Sequence, residues 1–123
     1  MIEITDDNFQ QLINQALEQL PGEHARNIKN VAILYAEIPT FEQRRELALR
    51  HDQTLLGLYE GTPLTKRQGI STLYPDRITL FKQPLLSRAN TLEELKEDIR
   101  HTLWHEIGHY YGLDHAQIHN LEN

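Results

Sequence analysis

Residues 105–115 read H-E-I-G-H-Y-Y-G-L-D-H, and this stretch indicates both the fold and the chemistry of the chain. A helix turns about 100° per residue, so His105 and His109 are one turn apart and share a face. Both imidazoles can therefore reach one metal ion. Glu106 lies beside them, where it can act as a general base toward a water at that ion.

The second half of the stretch offers a third metal ligand. Gly112 can adopt a positive φ and end the helix, so that His115 approaches the ion from another side. Asp114 is an alternative ligand, a residue that orients an imidazole, or a plain turn residue. We predict a Zn²⁺ site with three histidine ligands, His105, His109 and His115. Three protein ligands leave one position open, which is typical of catalytic zinc.

The helix that contains the motif has an apolar stripe at steps of three and four residues: Leu92, Leu95, Ile99, Leu103, Ile107 and Tyr110. Glu106 falls within this stripe, where a solvated charge is not expected. Burial would raise the pKa of Glu106 and suit it to accept a proton near neutral pH. The alternative is a histidine-rich helix end in which Glu106 pairs with a buried base. The long motif favours the metal site, because it arises by chance in on the order of one in ten thousand shuffled sequences.

The composition limits the classes of protein and partner. A chain of 123 residues is expected to form a single domain, residues 1–123. With 12 basic and 18 acidic residues and no basic cluster, it is not expected to bind nucleic acid. The absence of cysteine leaves His, Asp and Glu as metal ligands and fits a reducing compartment. Without a signal-like or membrane-spanning stretch, we expect a cytoplasmic monomer that has no membrane partner.

Apolar periodicity and turn residues predict the remaining elements. Three segments have the start signals and spacing of helices: residues 5–20, 40–49 and 91–111. Three have the apolar, β-branched runs of strands: residues 31–38, 55–59 and 77–82. The first strand is expected to be covered on much of both faces and to anchor the sheet. The last strand is expected to end near Pro84. This order of elements indicates a compact α+β domain.

The metal motif, with L-L-G-L-Y-E-G at residues 55–61 and R-I-T-L-F at residues 77–81, resembles the small bacterial zincin-like metallopeptidases, or minimal metalloprotease domains. The likeness runs from about Val31 to His115. It implies an α+β, minimal zincin-like fold with a small sheet of about three strands packed on two main helices, the second of which contains the metal motif. It also implies a sheet edge beside the cleft that can align an extended peptide. The matching positions are His105, Glu106, His109 and His115.

The motif is also similar to that of metzincins, which have the same glycine and third histidine and then a turn containing methionine. The sole methionine here is Met1, and eight residues follow His115, so that turn is not expected. Its loss would loosen substrate positioning more than metal binding. Gluzincins take their third ligand, a glutamate, from a later helix. Glu122 is the downstream candidate, and His115 is the better one.

We predict a zinc-dependent metallopeptidase that hydrolyses bonds of a peptide or protein substrate, with Glu106 as the catalytic base. The developing oxyanion needs a donor, for which three unassigned candidates are Tyr59, Tyr74 and Arg77. His101, one turn before His105, is expected to face solvent. The competing hypothesis is a zinc-stabilised binding module whose strand edge captures a peptide or protein without cutting it. A further alternative is that the histidines bind no metal.

Overall fold

Residues 2–20, 31–50, 54–61 and 76–112 are described by a computed structural model. Within these ranges the chain forms four helices and three strands, a mixed α+β arrangement that confirms the predicted fold class. In chain order the elements are α1 (Asp6–Glu18), β1 (Val31–Ala36), α2 (Phe41–Glu46), β2 (Gly57–Glu60), β3 (Asp76–Phe81), α3 (Lys82–Arg88) and α4 (Leu92–Tyr110).

The three strands form one sheet with the order β1-β3-β2, so β3 is the central strand. β1 runs parallel to β3, with Ile33 opposite Ile78. β2 runs antiparallel to β3, with Tyr59 opposite Ile78. Within the described residues β1 pairs only with β3, at the edge of the sheet, and Leu34 is 45% exposed, so the prediction that β1 anchors the sheet with much of both faces covered is wrong. An apolar run alone does not distinguish an edge strand from a central one.

The hydrophobic core lies between the sheet and the two long helices, α1 and α4. These helices pack against each other, and α4 also packs against β2 and β3. Phe9 of α1 meets Tyr35 of β1 edge to face, with ring centroids 5.6 Å apart. Leu95, Ile99 and Leu103 of α4 are fully buried in this core, as the apolar stripe predicts. Leu92, the first residue of that stripe, is instead 48% exposed at the helix start.

Threonine side chains cap three of the described helices: Thr5 at α1, and Thr40 and Thr91 at the predicted starts of α2 and α4. Thr40 and Gln43 form a complete capping box at α2, with hydrogen bonds of 3.0 and 2.9 Å. The Thr91 hydroxyl accepts from Glu94 N at 3.1 Å at the start of α4, while the Glu94 carboxylate accepts from Asn90 N. The predicted start of the motif helix is therefore confirmed. None of the described helices has both the length and the apolar character needed to cross a membrane.

Two short helices differ from the sequence predictions. α2 ends at Glu46 rather than near residue 49, and Ala48 follows with a φ of +53°. α3 starts directly after β3, where the sequence predicts only a strand ending near Pro84. Pro84 lies in the first turn of α3, where a missing N–H costs no helical hydrogen bond. Proline therefore does not exclude a helix at this position.

Candidate metal centre

The last two turns of α4 bring His105 and His109 together on one helix face. Their Nε2 atoms are 3.2 Å apart, and the two rings are inclined at 81°. Two imidazole nitrogens that bind one tetrahedral zinc at about 2.0–2.1 Å would be separated by about 3.3 Å. The two side chains thus fit a shared ion without rearrangement. Together with Glu106 they offer three ligand atoms that all lie within 4.8 Å of one another.

Glu106 is buried beside the two histidines, as its place in the apolar stripe predicts. The residue is only 8% exposed. Burial raises the pKa of Glu106 to about 7, and a backbone hydrogen bond from Tyr59 offsets part of this effect. In that bond Tyr59 N donates to Glu106 Oε1 at 2.9 Å. The carboxyl group can therefore take up and release a proton near neutral pH.

The chain turns at Gly112 in the way that the motif predicts. Gly112 has a φ of +84°, and its N–H donates to His109 O at 2.9 Å. This is the usual left-handed glycine at a helix C-terminus. α4 therefore ends within three residues of the second histidine. His115, Asp114 and Tyr74 lie outside the described residues, so the third ligand stays a prediction.

A close approach of β2 to α4 places the strand beside Glu106. A Cβ on Gly57 would lie 2.6 Å from Thr102 Cγ2 and 3.1 Å from Leu80 Cδ2. Real Cβ atoms essentially never lie as close as 2.6 Å to another atom, so any larger residue here would force Thr102 or β2 to shift. The approach brings the Tyr59 amide within hydrogen-bond distance of Glu106.

The hydrogen-bonding pattern between β2 and β3 explains why the Tyr59 amide can donate to Glu106. Phe81 N donates to Leu56 O at 2.9 Å. Because hydrogen-bonded pairs alternate along an antiparallel ladder, the Tyr59 amide points away from β3 and toward α4. The Tyr59 hydroxyl donates to Asp76 Oδ2 at 2.5 Å, and Asp76 is only 3% exposed. One residue thus connects Glu106 to a buried carboxylate on the central strand.

The sequence does not single out Asp76, and it suggests a different role for Tyr59. Tyr59 is a candidate oxyanion donor at the sequence level, whereas its hydroxyl contacts Asp76 and its amide contacts Glu106. The available signal is Gly57, since glycine within a strand often marks a close backbone approach. No spacing rule pairs Asp76 with Tyr59, because that contact depends on strand register.

Two other residues considered at the sequence level lie at the surface. The Arg77 side chain is 56% exposed and lies 3.6 Å from Glu60. The His101 side chain is 54% exposed and lies 3.5 Å from Glu97, which agrees with the expectation that it faces solvent. Neither side chain belongs to the cluster formed by His105, Glu106 and His109. The oxyanion donor is not assigned.

The chain is similar to a known protein family and to a solved structure. The family model for zincin-like metallopeptidases matches residues 28–123. A conserved hypothetical protein of Thermus thermophilus has a similar fold, with a TM-score of 0.56 and 19% sequence identity over 88% of this chain and 94% of that one. No curated protein sequence matches the chain at a significant level. Since the family match spans most of the chain, including β1 to α4, the protein belongs to the zincin-like metallopeptidase family.

Proposed function

We propose that the protein is a zinc-dependent peptidase in which Glu106 acts as the general base. The observation that most supports this proposal is the cluster of His105, His109 and Glu106. The Nε2 atoms of the two histidines lie 3.2 Å apart, and the carboxylate beside them is buried. A structural metal site needs no such carboxylate. Membership of the zincin-like metallopeptidase family supports the same reaction class.

His105 and His109 would hold the metal through their Nε2 atoms, with His115 as the proposed third ligand. Imidazole donors suit zinc, and three protein ligands would leave one position for water or substrate. Zinc, when bound, lowers the pKa of a water molecule and polarises the carbonyl of the bond to be cleaved.

Glu106 would accept the proton of the attacking water and then deliver it to the leaving amine. Burial raises the pKa of Glu106 above its ordinary value, which makes the carboxylate a better acceptor for the water proton. The Tyr59 amide engages Oε1. We therefore assign proton exchange to Oε2, with the Tyr59 hydrogen bond fixing the orientation of the carboxyl plane.

The substrate that best fits this arrangement is an extended peptide. Within the described residues β2 pairs only with β3, and it passes directly beside Glu106. By the same alternation that turns the Tyr59 amide outward, the peptide groups of Gly57 also face away from β3. A substrate lying along β2 could pair with the peptide groups of Gly57 through backbone hydrogen bonds that do not depend on its side chains, while the Tyr59 N–H donates to Glu106. The proposed enzyme acts as a monomer on a peptide or protein.

The test compares wild type with Glu106→Gln, both loaded with zinc, on casein and on a quenched fluorescent peptide library. We expect wild type to cleave, and Glu106→Gln to keep its zinc and fold while losing about 10²-fold or more of its turnover. Equal cleavage by both proteins would overturn the role of Glu106. Peptide that is bound but not cut by zinc-loaded wild type would instead support the zinc-stabilised binding module.

A further inference from the structure

We propose that Asp76 is a positioning residue for the reaction, acting on Glu106 through Tyr59. The inference rests on the proposed function only in its effect on turnover, because the contacts involved are between groups of the protein itself. Asp76 lies on the central strand, outside the cluster formed by His105, Glu106 and His109. Asp76 would act on Glu106 through Tyr59, which lies on β2.

The two hydrogen bonds of Tyr59 form this link. The hydroxyl donates to Asp76 Oδ2 at 2.5 Å, and the amide donates to Glu106 Oε1 at 2.9 Å. Tyr59 lies opposite Ile78, so Asp76 is its diagonal neighbour two residues along the same face of β3. Holding the side chain of Tyr59 in place therefore keeps its backbone N–H within hydrogen-bond distance of Glu106 Oε1.

Asp76 also supports the backbone of β2 directly. Gly61, just after the strand, has a φ of +152°, and a Cβ on it would overlap Oδ1 and Cγ of Asp76. At the other end of the strand, a Cβ on Gly57 would lie 2.6 Å from Thr102 Cγ2 of α4. β2 has only four residues. A strand this short, held at both ends by glycine contacts, has little freedom to move Tyr59 away from Glu106.

The ring of Tyr59 also packs against the ring of Tyr110, a contact that does not involve its hydroxyl. It meets the ring of Tyr110 edge to face, with centroids 6.3 Å apart. Tyr110 is 1% exposed and is the last residue of α4, next to His109. A phenylalanine at position 59 would keep this packing and lose only the hydroxyl. Tyr59→Phe should therefore fold while it removes the group that donates to Asp76.

The first readout is the amide of residue 59 in ¹⁵N-labelled, zinc-free protein. Glu106→Ala provides the reference for an amide that has lost its side-chain acceptor. In Tyr59→Phe and Asp76→Ala we expect the amide proton to shift in the same direction as in that reference and its hydrogen exchange to become about tenfold faster. Asp76→Asn keeps an acceptor and should stay close to wild type. Arg77→Gln, a matched change at the next residue of β3, should leave the amide unchanged.

The second readout is turnover of the zinc-loaded variants. We expect kcat to fall in Tyr59→Phe and Asp76→Ala with little change in KM, and Asp76→Asn to recover most of the loss. An amide at position 59 that stays as in wild type in folded Tyr59→Phe would overturn the proposal, even if Asp76→Ala does not fold. If wild type shows no turnover, the proposed function fails, and the amide readout still decides whether Asp76 positions Glu106.

Discussion

In the zinc-free protein, replacing Glu106 with glutamine is expected to increase stability above neutral pH and to have little effect in acid. Glu106 is almost fully buried, and burial penalises its charged form. The hydrogen bond from Tyr59 N offsets only part of that penalty, so the pKa rises from 4.5 to about 7. Glutamine has nearly the same shape, can accept the same hydrogen bond and never ionises.

The size of the effect follows from this rise in pKa. A change from 4.5 to about 7 corresponds to about 3 kcal/mol, at about 1.4 kcal/mol for each tenfold change in proton affinity. The stabilising contribution of protonated Glu106 is fully present below pH 4.5 and is lost as the pH rises through about 7. Above that pH, wild type bears the cost of a buried charge that the variant avoids. Between acid and pH 8, the free energy of unfolding of the variant should therefore rise by about 3 kcal/mol relative to that of wild type.

The assay is urea unfolding of both proteins at pH 5 and at pH 8 in the presence of a chelator. Comparing the two proteins at each pH cancels the contribution of the other titrating groups to the free energy of unfolding. Saturating zinc should reduce the advantage of the variant at pH 8, because a bound cation favours the ionised carboxylate. A stability difference that does not change with pH, or a variant that is less stable at pH 8, would refute the reasoning.

Two further predictions concern packing away from the histidines. Gly57→Ala should lower the free energy of unfolding in urea by about 1–3 kcal/mol, because its Cβ would lie 2.6 Å from Thr102 Cγ2. Adding Thr102→Ser, which removes that methyl group, should recover part of the loss. Equal stability of Gly57→Ala and wild type would contradict the contact. The Lys82 side chain is largely covered, and its Nζ lies 2.6 Å from Oδ1 of Asp6, whose side chain is 58% exposed. Because water screens a pair that is open on one side, Asp6→Ala should cost no more than about 1 kcal/mol in thermal unfolding, and a larger loss would show that the ion pair behaves as a buried one.

The parts of the site that depend on local helix geometry could be predicted from the sequence. The convergence of His105 and His109 follows from their spacing of four residues, and the burial of Glu106 follows from the apolar period of the same helix. The positive φ of Gly112 follows from the chemistry of helix ends. Each of these features is decided within about one helical turn.

The parts that depend on how separate segments pack could not be predicted. The link from Asp76 through Tyr59 requires the register of β2 on β3, which the sequence does not specify. The apolar run of β1 is compatible with a central strand, yet within the described sheet β1 pairs on one side only and β3 takes the centre. The sequence does not predict α3, because Pro84 suggests an end of structure although proline is compatible with a first helical turn.

The central claim is that His105 and His109 bind one metal ion, and elemental analysis of purified, untagged protein tests it most directly. The samples are wild type, His105→Ala and His101→Ala, the last being a matched change at an exposed histidine one turn away. The account predicts about one zinc per chain in wild type and in His101→Ala, and its loss in His105→Ala. Little zinc in wild type after zinc is supplied, or equal zinc in His105→Ala, would contradict it.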